Sequence, residues 1–135
     1  MKTLLAFALL GTTLLLSTSP TRAEWHRFRG PNGNGYIAGN PKLPTVLGKE
    51  TLAWKAPLPG RGLGSAIVVG EKVIVSAASG PHQNKLQILC FSSRDGSQLW
   101  RRSFWATGRT MCHKKTCVAA PTPTSDGKNI YDLWS

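Results

Sequence analysis

Beyond residue 64 the chain consists of short apolar runs cut by glycine-containing turns, and nothing after residue 23 keeps a helical period. Such a chain is confined to short strands that bury a face by pairing with their sequence neighbours. Ser65 to Val69 (SAIVV) is followed by Gly70-Glu71 and then Lys72 to Ala78 (KVIVSAA), which predicts a hairpin. Lys85 to Ser92 (KLQILCFS) runs through Arg94-Asp95-Gly96-Ser97 into Gln98 to Phe104 (QLWRRSF), a second hairpin. Together they predict a four-stranded antiparallel meander.

The pattern then begins again. Ala120-PTPTSDGKNIY echoes Ser65-AIVVGEKVIV, and Leu52-Ala53-Trp54-Lys55 echoes Gln98-Leu99-Trp100-Arg101. Trp54 and Trp100 lie 46 residues apart. A period in the forties, four strands per unit and a recurring tryptophan predict an all-β protein, a β-propeller of four-stranded antiparallel blades. The division is an amino-terminal segment 24–64, a first blade 65–104 and the start of a second at 118–135. The rival architecture is an all-β sandwich, which also spaces short strands by turns.

The segment SSRDGSQLW resembles the repeat of PQQ-like β-propeller proteins, of the quinoprotein alcohol dehydrogenase-like superfamily, with its A-x-D-x-x-T-G-x-x-x-W pattern. Cys90 stands at the alanine, Gly96 at the glycine and Trp100 at the tryptophan; Ser92 departs from the aspartate and Asp95 from the threonine. The segments WHRFRGPNGNG, LAWKAPLPGRGLGSAIVVGEKVIV and KKTCVAAPTPTSDGKNIY are similar to the amino-terminal part of exported bacterial members. The resemblance implies that Trp54, Gly96 and Trp100 are blade-packing positions, each tryptophan buried between neighbouring sheets. Propellers have four to eight blades, so this sequence is expected to be an amino-terminal fragment, with the remaining blades downstream of Ser135.

The first 23 residues form a separate object. Lys2 precedes the apolar run Leu4 to Leu16, and small Thr21 and Ala23 occupy the −3 and −1 positions of a signal peptide cleaved after Ala23. The 13-residue apolar run falls short of the roughly 20 residues a bilayer span requires. The expected product is secreted or periplasmic, with no transmembrane span once the signal is removed. It carries fifteen basic residues against six acidic ones, scattered rather than gathered on one face. This argues against nucleic acid and leaves a protein or an anionic envelope polymer as the partner.

Cys112 and Cys117 flank four residues and are the disulfide candidate in an oxidising compartment, while Cys90, inside an apolar run, reads as a buried thiol. Cys112, His113 and Cys117 supply only three crowded ligands where structural zinc takes four. Haem attachment through C-x-x-C-H fails because Arg109 stands three before Cys112.

The glycine-rich stretch Trp25 to Gly35 is not a phosphate cradle: Tyr36 and Ile37 stand where a P-loop needs Lys and Ser or Thr. Nor does its spacing fit G-x-G-x-x-G between a strand and a helix. Gly60 to Ser65 leads into a strand, so it offers no helix amino terminus. Both read as turns, with Trp25 and Phe28 expected to anchor the first.

His26, His82 and His113 lack a sequence partner that defines a triad, and Asp95 and Asp126 sit at turn positions. No catalytic, cofactor or metal residue is therefore assigned. A non-catalytic scaffold or binding module of the cell envelope is preferred. The alternative is the amino-terminal piece of a PQQ- and calcium-dependent dehydrogenase of alcohols or sugars. Its tryptophan floor, adjacent cysteines and calcium ligands form no recognisable constellation here. A third reading is a small self-contained binding domain whose open sheet edges pair with another chain.

Overall fold

A computed structural model describes residues 24–39 and 41–135; the expected signal peptide, residues 1–23, lies outside these. The fold is all-β. A five-stranded antiparallel sheet runs in sequence order through β1 (Glu24–Trp25), β2 (Ile67–Val69), β3 (Lys72–Ser79), β4 (Lys85–Ser92) and β5 (Gln98–Trp105). A separate pair, β6 (Thr124–Ser125) and β7 (Ile130–Tyr131), follows, and the one helical element among the described residues is a 3-10 turn at Lys49–Thr51. Among the described residues no helix is long and apolar enough to cross a membrane.

The four meander strands arise where the apolar runs lie. Each is short and rich in β-branched or aromatic residues, and each is joined to the next by a turn with a positive-φ residue, Gly70, Gly80 and Gly96 in order. Sequence reasoning did not foresee β1, which adds Glu24 opposite Val69 and Trp25 opposite Val68.

Alternation along β3 and β4 gives the sheet two buried faces. Ile74, Ser76 and Ala78 pair with Cys90, Ile88 and Leu86 on one; Val73, Val75 and Ala77 pair with Phe91, Leu89 and Gln87 on the other. The connection between β1 and β2 covers the second face, with Trp54 and Ala56 packed on Ala77, Leu89 and Phe91. Chain that follows the sheet covers the first, with Ile130 packed on Ile67, Ile74 and Cys90. Farther along that face Ala78 and Leu86 form a cluster with Cys117, Val118 and Ala119, against which Trp134 lies.

Segment 60–65 ties the layers together. Arg61 exchanges both backbone hydrogen bonds with Ala78 at 2.8 Å, the Leu63 N–H donates to the Ala119 carbonyl at 3.1 Å, and the Ser65 N–H to Thr122 Oγ1 at 2.9 Å. Gly62 lies so close to the Ser76 carbonyl that a Cβ would overlap it, which explains why glycine recurs along this crossing.

Candidate functional site

The sharpest local arrangement joins two of the sequence-derived positions. Gly96 sits in the β4–β5 turn at φ +70, and the Trp54 ring lies directly over its Cα, where a Cβ would stand 2.5 Å from Cε3. Trp54 Nε1 donates to the Ser93 carbonyl at 3.0 Å, and its ring tilts against Phe91 at 6.5 Å between centroids. The tryptophan thus clamps a segment 39 residues upstream of Ser93 onto the turn. Ser92 and Asp95, the two departures from the repeat pattern, still hold the turn. The Ser97 N–H and hydroxyl donate to Asp95 Oδ1 at 3.0 and 2.8 Å, and the Arg94 N–H donates to Ser92 Oγ at 3.2 Å. The Ser97 donors hold the Asp95 carboxyl below its usual range.

Trp100 lies on the opposite face from Trp54, half-buried against the Ile67, Ile74 and Cys90 cluster that also receives Ile130. On this face Ser76 Oγ donates to Asp132 Oδ2 at 2.6 Å, linking β3 to the residue after β7. Asp132 Oδ1 is buried without a hydrogen-bond partner, and burial raises the carboxyl's pKa. The sequence signalled nothing about Asp132, because its environment is assembled from segments 56 residues apart.

The cysteine loop folds against the Ala78–Leu86 end of the sheet. All three cysteines are free thiols in this structure: Cys117 and Cys90 are buried, and Cys112 is half-buried with Gln83 Nε2 donating to its sulfur at 3.3 Å. Burial raises the Cys90 thiol pKa. His113 accepts the Lys115 N–H at 3.2 Å, His26 contacts the Glu24 carboxylate, and exposed His82 lines a shallow depression with Met111 and Cys112. No group of three or more His, Cys, Asp or Glu side chains converges as a metal site among the described residues.

The glycine-rich stretch is a run of turns. Gly30, Gly33 and Gly35 donate to the Arg27, Gly30 and Arg29 carbonyls, and Trp25 covers Gly30. Phe28 corrects an expectation: it is 60% exposed, with the Arg29 guanidinium 5.8 Å from its ring centre, so Trp25 alone of the two anchors this segment. The backbone turns at Arg29, φ 61, and it is Gly30, not Phe28, that is buried beneath the Trp25 ring. Trp25, Tyr36, Ile37 and Val68 line an apolar groove of about 400 Å³ between this stretch and β2.

Comparison with family profiles, curated proteins and solved structures finds no match to this chain.

Proposed function

We propose that this chain is an exported PQQ-like β-propeller repeat protein acting as a non-catalytic scaffold or binding module of the cell envelope. One observation carries the reading. The four-stranded meander β2–β5 is covered on opposite faces by the chain just before it and the chain that follows it, with Trp54 and Ile130 as the inserted side chains. Stacking of sheets in sequence order is how a propeller buries each blade. The positions that match the repeat pattern, Gly96 and Trp100, do packing work in this arrangement, as does Trp54.

The functional test is cell fractionation with amino-terminal sequencing, followed by a dye-reduction assay with PQQ and calcium. The expected result is an exported chain beginning at Glu24 that reduces no dye with alcohols or sugars. Retention of Met1 in the membrane would overturn export, and saturable PQQ binding with alcohol oxidation would overturn the scaffold.

A further inference from the structure

We propose that the open edge of β5 is a docking strand for an extended acidic peptide segment of a partner protein. β5 is the last strand of the sheet: β4 pairs one edge, and no described strand pairs the other. Its outward N–H and C=O groups are a template for an added strand.

The side chains on this strand are unusual for an edge left to water. Leu99, Phe104 and Trp105 are 50, 51 and 68% exposed. Arg101 and Arg102 are exposed between the aromatics, and neither has a carboxylate partner among the described residues. With half-buried Trp100 they line an open recess of about 600 Å³. Arg102 shares its face with Trp100 and Phe104, and Arg101 shares the other with Ser103 and Trp105, as their partners on β4 dictate.

Charge selects the occupant. In an antiparallel pair, opposed side chains share a face. A second copy of β5 paired antiparallel over seven of its eight residues therefore sets Arg101 against its own mate, or Arg102 against its own. Like charges directly opposed are destabilising. Nor do residues 1–135 supply an acidic strand: their six acidic residues are never adjacent, and residues 1–23 contain none. A foreign strand with two consecutive acidic residues presents one carboxylate to Arg101 on one face and the next to Arg102 on the other. β-Branched neighbours of those acids would pack on Phe104 and Trp105.

The inference deepens the binding-module reading and rests on it. Its test addresses β5 alone, while the dye-reduction assay judges the module reading, so the two fail separately. The mature chain is immobilised sparsely through its amino terminus and titrated with three octapeptides of alternating Thr and Val. One carries a central Glu-Glu, one a central Lys-Lys, and one the Glu-Glu with prolines on either side. Surface plasmon resonance should show the Glu-Glu peptide binding about tenfold more tightly than the Lys-Lys peptide, the ratio expected of two attractive against two repulsive cross-strand pairs. The proline peptide, unable to donate to the edge, should lose binding. In Arg101→Glu/Arg102→Glu the preference should invert, and the gained Lys-Lys binding certifies that the variant is folded. Equal affinity for the two charge types, undiminished binding of the proline peptide, or loss of all binding without inversion overturns the proposal.

Discussion

Gly96→Ala tests the clamp between the amino-terminal segment and the sheet. The new methyl group would stand 2.5, 2.7 and 3.0 Å from Trp54 Cε3, Cδ2 and Cγ, so the indole must leave its seat. Holding alanine at φ +70 costs about 1 kcal/mol. Losing the Nε1–Ser93 hydrogen bond costs about 1 more, and the lost ring packing on Phe91 roughly another 1. The total is about 3 kcal/mol. Trp54→Ala removes that packing and hydrogen bond together with the rest of the ring's burial and should cost about 3 kcal/mol, the low end for a tryptophan because the ring is half-buried. In the double variant the methyl group added at position 96 meets no ring. Only the backbone cost is then added, and the total is about 4 rather than 6 kcal/mol. Urea denaturation of the four proteins, followed by circular dichroism, measures this coupling of about 2 kcal/mol. Additivity within about 0.5 kcal/mol would refute the seat of Trp54 on Gly96.

Asp132→Asn keeps the acceptor for Ser76 and removes a partly buried charge. Because the folded-state pKa is raised above the ordinary carboxyl value, this group favours folding most at low pH, and that contribution fades as pH rises through the folded value. The variant should melt higher than the parent at pH 7 and gain nothing at pH 3; the same gain at both would refute the burial argument. Asp126 acts in the opposite sense: the N–H groups of Asn129 and Lys128 and the Tyr131 hydroxyl hold its carboxyl well below the usual range. Its contribution to stability is present above the ordinary carboxyl pKa and lost as pH falls through the depressed folded value. Asp126→Asn should therefore lower the melting temperature at pH 7 and change it little under strongly acidic conditions, as paired thermal scans will show. In the reduced protein a thiol reagent should modify half-buried Cys112 well before Cys90 and Cys117, and equal rates read by peptide mass mapping would contradict their burial. Purified residues 24–135 should self-associate in sedimentation runs through exposed apolar side chains such as Leu133 and Tyr131. A monodisperse monomer with a cooperative melt would favour a closed sandwich.

The sequence by itself determined the strands and their order. KVIVSAA and KLQILCFS are β-branched and apolar runs too short for helices, and Gly70-Glu71 and Asp95-Gly96 allow only tight antiparallel returns. It also marked Trp54 and Trp100, because a large ring recurs after 46 residues, and Gly96, as the second residue of an Asp-Gly turn. What those residues touch was decided by tertiary structure. Trp54 meets Gly96 because the chain crosses back over the sheet, and Trp25 joins as β1 through a pairing more than 40 residues distant. Asp132 and Ser76 meet only when β7 settles on the first face. Phe28 reads as an anchor from hydrophobicity alone, yet it stays exposed while Trp25 and Gly30 pack together in its place. The open edge of β5 was half legible: paired arginines between aromatics mark a strand that does not enter a core. Which side stays unpaired depended on β4 taking the other. Local propensity acts over a few residues and is written in order along the chain, whereas burial and partner choice depend on which distant segments arrive, and the fold alone sets that.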